Sequence, residues 1–266
     1  MSEAAGRGWW GIARDVAVSL VFLTRVPPAR LGLDPDAAPD LRAAVRVFPV
    51  AGSLIGIAGG AVLLLGNAVG LPPLAAALVA ITALVVLTGA LHEDGLADTA
   101  DGFGGGRTAP ARLAIMRDSR IGSYGALALI LSVLLKASLL AAFLPDAPVQ
   151  AALALIVAET LGRAGIVFHW AKLPPARPEG LAGSIGQPDG DTLAMALAAA
   201  LAIGLLAGTL AGGPIAALVA LAAAALATIG FGRLAERMIG GHTGDTLGAA
   251  EQCAALAALL ALVAFS

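Results

Sequence analysis

The sequence predicts an all-α fold: a bundle of about seven transmembrane helices plus a short N-terminal interfacial helix, in one integral membrane domain over residues 1–266. Three observations carry this. Apolar residues make up 59% of the chain and charged residues only 13%, against about 25% charged in a soluble domain. So few charges cannot cover a water-facing surface. Seven apolar stretches, near 45–66, 71–91, 122–144, 147–169, 191–211, 214–232 and 246–266, are close to the roughly 20 residues that cross a bilayer. They must be helical, because lipid offers the backbone no other hydrogen-bond partner. Finally, the basic residues outside these stretches all fall on one side.

The chain opens on Trp9 and Trp10 and a short apolar run, Val16 to Leu23, preceded by Asp15 and followed by Arg25 and two prolines. That run is too short to span, and no small-x-small cleavage site follows. An interfacial helix with the tryptophans at headgroup depth is expected. Turn signals separate the spans: Gly70-Leu71-Pro72-Pro73, Pro145-Asp146-Ala147-Pro148 and Gly212-Gly213-Pro214. The spans are rich in Gly and Ala, which suits close helix contacts in lipid. The connections at 67–70, 145–146 and 212–213 carry no Lys or Arg. Those at 92–121, 170–190 and 233–245 carry Arg107, Arg112, Arg117, Arg120, Lys172, Arg177, Arg233 and Arg237, and the N-terminal stretch adds Arg7, Arg14, Arg25, Arg30 and Arg42. The positive-inside rule makes that side cytoplasmic and places the C-terminus opposite. The acidic and Gly-rich motifs lie in the same three loops, so chemistry is expected there. The single cysteine, Cys253, excludes an internal disulfide. The lipid bilayer is an expected partner and nucleic acid is not; self-association is left open.

The densest polar segment is His92-Glu93-Asp94-Gly95-Leu96-Ala97-Asp98-Thr99-Ala100-Asp101-Gly102. If the second span continues past the membrane surface as helix, Asp94, Asp98 and Asp101 fall at i, i+4 and i+7 on one face. Three carboxylates on one stripe repel one another. A hard divalent cation would relieve that repulsion, and oxygen ligands without a nearby Cys favour magnesium, manganese or calcium over zinc. The bland alternative is a solvated acidic helix end. Gly102-Phe103-Gly104-Gly105-Gly106 follows, and Gly104 and Gly105 could bring backbone N–H groups close to a phosphate; a flexible loop would look the same. Arg117 and Arg120, one helical turn apart in Arg117-Asp118-Ser119-Arg120, could fork a pyrophosphate, or simply flank a span. In the last loop Thr243 or Asp245 could cap the final helix, while a carboxylate at a span is itself a functional candidate. Within the spans, Glu159 and Arg163 at i, i+4 suit an ion pair. Arg163 lies toward the cytoplasmic end, where it could reach a phosphate, and Lys136 should also face the bundle.

Six segments, in order along nearly the whole chain, resemble the adenosylcobinamide-GDP ribazoletransferase family, also called cobalamin (5′-phosphate) synthase. They are Phe22-Leu23-Thr24-Arg25-Val26-Pro27, Phe48-Pro49-Val50-Ala51-Gly52, the stretch from Leu91 to Gly102, Ile115 to Gly122, Glu179-Gly180-Leu181, and Gly244 to Ala250. The resemblance implies an enzyme of the cytoplasmic membrane that joins adenosylcobinamide-GDP to α-ribazole or its 5′-phosphate, releases GMP and requires Mg²⁺. It carries Arg25 into the phosphate-binding set and Asp245 into the metal set with Asp94, Asp98 and Asp101. Asp101 and Asp118 are the candidates to accept the attacking hydroxyl's proton. One departure stands out: where the family has a glutamate seven residues after the aspartate of its last motif, this chain has Gln252, with Glu251 one position earlier. Two other readings compete. A CDP-alcohol phosphotransferase would show an Ala-Arg pair after Asp-Gly, whereas Leu96-Ala97 follows here. A secondary transporter would use Lys136, Glu159 and Arg163 near the midplane.

Overall fold

The computed structural model describes residues 9–36, 40–177, 179–180 and 184–266, and of Trp9 and Trp10 the backbone alone. The expected headgroup placement of those two side chains, and Arg7, therefore lie outside the described residues. The helices are α1 (Trp9–Leu23), the short α2 (Leu41–Ala44), α3 (Phe48–Ala68), α4 (Pro73–Thr88), α5 (Leu91–Gly105), α6 (Ala109–Ile115), α7 (Ser123–Phe143), α8 (Pro148–Lys172), α9 (Gly190–Ile239) and α10 (Gly244–Phe265). Proline in the first turn starts α3, α4 and α8, where its missing N–H is no loss. Helix α1 has 15 residues, too few to cross a bilayer. It is held to the bundle by Asp15, which receives Arg46 at 2.5 Å.

Among the described residues, five helices are long and apolar enough to cross a membrane, or six if α4 and α5 are joined across their bend. The protein is therefore a multi-pass membrane protein. The stretches expected at 191–211 and 214–232 are the two limbs of α9. Gly213, at φ 87° and ψ 171°, breaks the helix between them. A Cβ on Gly208 would sit 3.1 Å from the Cα of Ala217, whereas nine residues of unbroken helix would separate these positions by about 13 Å. The limbs are therefore antiparallel, and only glycine tolerates the turn's positive φ.

Two expectations need correction. The second span does not run on into the carboxylate stripe. Helix α4 ends at Thr88, Gly89 and Ala90 take left-handed conformations at φ 66° and 59°, and α5 leaves at 91° to α4. The three aspartates nonetheless share one helix, α5. The polar connections are also more helical than a loop reading supposes: α5 and α6 fill most of 92–121, and α9 runs on to Ile239, so that only residues 240–243 join it to α10.

Packing rests on small residues. On α3, Gly56 and Gly60 lie against α8 so closely that added Cβ atoms would meet the Cα of Ile156 at 2.7 Å and the Cβ of Ala152 at 3.1 Å. In lipid, where apolar burial gives no preference for protein over tails, such close backbone contact supplies the attraction. All the polar motifs gather at one end of the bundle. At the other end, Gly212 lies beside the C-terminal Ser266, with 3.0 Å between an added Cβ and its Oγ. We expect Gly56→Leu to separate α3 from α8 and to destabilise the detergent-solubilised protein by at least the ~1–3 kcal/mol of ordinary overpacking. Thermal unfolding beside wild type measures this, and Ile57→Leu, at an exposed neighbouring position, serves as the lipid-facing control.

Candidate active site at the polar end of the bundle

The site is made by a crossing of two glycines. On α5, an added Cβ at Gly95 would lie 2.6 Å from the carbonyl oxygen of Asp245; on α10, one at Gly248 would lie 3.4 Å from the Cα of Gly95. This contact sets Asp94 and Asp98, from the middle of the chain, beside Asp245, from near its end. Thr243, and not Asp245, caps α10: its side chain accepts from the Thr246 N–H, and the Thr246 side chain accepts from the Thr243 N–H in return. The Asp245 carboxylate accepts from the Thr243 hydroxyl at 3.2 Å and pairs with Arg177 at 3.4 Å. Burial first, and then the charges of Asp94, Asp245 and Asp101, push the Asp98 carboxyl up to about 6, with Arg177 pulling the other way.

A cavity of about 190 Å³ opens beside these carboxylates. Asp94, Gly95, Asp245 and Gly248 line it on one side, and Phe22, Leu23, Ile166, Trp170 and Leu247 supply apolar walls. Arg25 follows directly on the α1 wall. Its side chain lies over Gly89, with only 2.8 Å between its guanidinium carbon and an added Cβ there. Arg25 is exposed and makes no ion pair among the described residues. Three segments are knitted together around this mouth. Residues 174–176 and 242 exchange backbone hydrogen bonds of 2.8 and 2.9 Å, Arg177 donates to the Leu113 carbonyl, and Arg112 donates to the Met238 carbonyl at 2.8 Å.

A family model described as cobalamin-5-phosphate synthase matches residues 15–263. The chain belongs to this family. It is similar to the adenosylcobinamide-GDP ribazoletransferase of Azorhizobium caulinodans, at 47% identity over 96% of this chain and 97% of the relative. It is 48% identical to the protein of the same name from Brucella ovis, over 95% and 97% of the two chains. No solved structure matches. This member of the cobalamin-5-phosphate synthase family is thus an enzyme, a transferase of cobalamin synthesis.

Within this family framework the other residues singled out from sequence fall in different places. Asp101 leaves the stripe: its two oxygens accept from the N–H groups of Gly122 and Gly125 at 2.7 and 2.9 Å, capping the N-terminus of α7. Gly104 and Gly105 lie in the last turn of α5, where their N–H groups belong to the helix. Their missing side chains make room for the Tyr124 ring and for Ile115. Arg117 and Arg120 follow the end of α6 in a turn, not on a helix, and do not converge. Arg117 pairs with Glu179 at 2.8 Å and Arg120 with Asp118 at 2.6 Å, both exposed. The Arg120 side chain and backbone N–H hold Asp118 down at about 2. Arg163 is away from the surface altogether. It is buried between Glu159 and Glu251, 3.4 Å from the His92 ring. The expected Glu159–Arg163 pair is present, and burial between two glutamates takes the guanidinium out of the phosphate-binding set. Beside it Gln252 accepts from Lys136 at 3.2 Å and donates to Glu93 at 3.0 Å. Sequence reading passed over Arg177 as a topology signal; only the contact with Asp245 distinguishes it from the other loop arginines.

The donor set suits a hard divalent cation in kind: carboxylates only, mutually repelling, with one arginine partly compensating. Among the described residues no three His, Cys, Asp or Glu groups close a coordination sphere as they stand. A divalent cation that keeps several waters and takes substrate phosphate oxygens needs only one or two carboxylates from the protein. The residues that would hold it are Asp94, Asp98 and Asp245.

Two outcomes follow. A carboxyl whose folded pKa of about 6 exceeds its unfolded value of 3.8 binds its proton more tightly when folded. Its contribution therefore favours the folded state at low pH and is lost as pH rises through the interval between the two values. We expect the melting temperature of the metal-free protein to fall over that interval, and Asp98→Asn to flatten the fall. Asp101→Ala should instead destabilise at all pH values above the carboxylate range, by about 1.5–3 kcal/mol for each charged hydrogen bond lost. Melting curves across pH for the two variants separate these roles.

Proposed function

We propose that this enzyme transfers the adenosylcobinamide-phosphate part of adenosylcobinamide-GDP to α-ribazole or its 5′-phosphate, releasing GMP, with Mg²⁺, at the cytoplasmic face of the cytoplasmic membrane. Besides the family membership, one observation carries the reading: Asp94 and Asp245, from two distant segments, line one cavity at the basic end of the bundle, and Asp98 lies close enough to feel the charge of both. Phosphoryl transfer demands positioning and charge neutralisation more than covalent help. A ribose hydroxyl of the acceptor attacks the phosphorus that bears cobinamide, the bond from that phosphorus to the GMP oxygen breaks, and the hydroxyl proton is lost. When bound, Mg²⁺ would neutralise charge on the diphosphate and polarise the reacting phosphoryl group. Asp94, Asp98 and Asp245 would hold the metal; Arg25 and Arg177, near the carboxylates, would take the diphosphate oxygens. Asp118, held near 2 by Arg120, is too weak a base for the proton, and Asp101 has both oxygens engaged by α7.

The transporter reading finds little support. Glu93, Lys136, Glu159, Arg163, Glu251 and Gln252 surround a cavity of only about 10 Å³, room for about one water, and they pair with one another rather than line a path.

Asp98→Asn should fold, lose most turnover and need more Mg²⁺ for what remains; wild-type turnover at an unchanged metal requirement would remove Asp98 from the metal set. Arg25→Ala and Arg177→Gln should each raise KM for adenosylcobinamide-GDP about tenfold or more, by the ~1.5–3 kcal/mol of a charged hydrogen bond, and leave KM for α-ribazole near wild type. Arg117→Ala and Arg120→Ala, which lose exposed pairs of small worth, should do less. For orientation, a cysteine placed within 103–109 should resist an impermeant reagent applied to intact cells and react once the membrane is opened.

A further inference from the structure

We propose that the cavity beside Asp94 and Asp245 seats the flat, apolar base of the incoming nucleoside, and that Ile166 sets which bases enter. This rests on the transfer to α-ribazole proposed above. Size decides first. At about 190 Å³ the cavity is smaller than the roughly 300–1,000 Å³ of pockets that enclose a drug-sized ligand. It admits one fused ring system. The donor's corrin macrocycle and a whole nucleotide are both too large.

Chemistry decides between the two ring systems that remain, the guanine of the donor and the benzimidazole of the acceptor. The walls are Phe22, Leu23, Ile166, Trp170 and Leu247. Four of these five side chains carry no polar atom. Guanine presents a continuous edge of donors and acceptors, for which the lining offers only the Asp94 and Asp245 carboxylates and His92; the rest of that edge would lose its water without partners, at a cost of several kcal/mol. A dimethylated benzimidazole carries methyl groups and carbon edges and leaves one ring nitrogen without a substituent. Its faces suit offset contact with Phe22 and Trp170. His92, the remaining polar residue on the lining, has Nδ1 3.4 Å from the Arg163 guanidinium, while its Nε2 has no hydrogen-bond partner among the described residues.

Placement agrees with both. Gly95 and Gly248, which let α5 and α10 touch, also line the cavity, next to Asp94 and together with Asp245. A base inserted from the rim leaves its ribose beside Asp94 and Asp245, where the attacking hydroxyl has to be. The same pose buries the apolar half of the acceptor and exposes its reactive half to the metal site. Ile166 is almost wholly buried, at 4% exposure, and comes from α8. Helix α8 supplies none of the three carboxylates, so a substitution at Ile166 changes the cavity's lining and leaves Asp94, Asp98 and Asp245 unaltered.

The test uses the full-length enzyme in detergent, with adenosylcobinamide-GDP, Mg²⁺ and three ribosides: those of 5,6-dimethylbenzimidazole, of unsubstituted benzimidazole and of a tricyclic naphthimidazole. A cavity that distinguishes methyl groups gives about 10–200-fold per methylene-sized difference. Ile166→Phe should lower kcat/KM for the dimethylated base by that order relative to the unsubstituted one. Ile166→Ala should shift preference the other way, toward the tricyclic base. KM for adenosylcobinamide-GDP should stay at its wild-type value in both. If either folded variant scales all three ribosides by one factor, or moves the KM of the donor instead, the cavity is not the seat of the base and the proposal falls, while the transfer reading stands on wild-type turnover. If wild type itself makes no cobalamin product, the transfer reading falls and takes this one with it.

Discussion

The contact between Gly95 and Gly248 is the constraint on which the site depends. Two helices approach until backbone meets backbone, and the approach places three carboxylates from distant parts of the sequence around one opening. A Cβ at Gly95 would lie 2.6 Å from the Asp245 carbonyl oxygen and push α5 off α10, while ligand geometry at a metal site must hold to within a few tenths of an ångström. The 91° turn between α4 and α5 serves the same end. It lays the acidic helix across the bundle end, where a straight continuation would have carried the aspartates into water, away from Asp245.

Carboxylates held together in this way repel, and something must hold the helices against that repulsion. The buried cluster beneath does so. Arg163 joins Glu159 of its own helix to Glu251 of α10, and Gln252 joins Lys136 of α7 to Glu93 of α5. Four helices are thereby tied at one level. Buried ion pairs are weak evidence for net stability, because desolvation offsets the attraction, but removing one partner is expensive, at about 3–5 kcal/mol. The cluster therefore specifies the arrangement of α5, α7, α8 and α10 more than it strengthens it. Gln252 is suited to this bridge: its amide both accepts from Lys136 and donates to Glu93, which a carboxylate could not do.

The basic residues divide by the same logic. Arg112 is spent on a carbonyl group that ties α6 to α9, whereas Arg177 gives one nitrogen to the Leu113 carbonyl and turns another to Asp245 at the opening. Arg117 and Arg120 stay outside, each with an acid of its own. Arg25 alone stands beside the opening with no ionic partner among the described residues. The opening thus carries excess negative charge at its carboxylates and available positive charge at its edge, the pattern that a metal and a diphosphate together would neutralise.

Much was determined by the sequence alone. Apolar length and one-sided arginines establish a multi-pass bundle with its polar chemistry at one end, because lipid leaves the backbone no alternative to helix. Six ordered motifs establish the family. The i, i+4, i+7 spacing correctly put Asp94, Asp98 and Asp101 on one helix, and the Glu159–Arg163 spacing gave a real pair. Only the tertiary structure decided what each polar residue meets. Asp101 turns to the N–H groups of α7; Arg163 is sealed under the site; Gly104 and Gly105 make room for Tyr124 and Ile115; Phe22, Ile166 and Trp170 wall a cavity that no local pattern marks. The reason is physical. Periodicity fixes directions around one helix axis, whereas these roles depend on how helices cross, and crossing is set by where glycine lets two backbones touch.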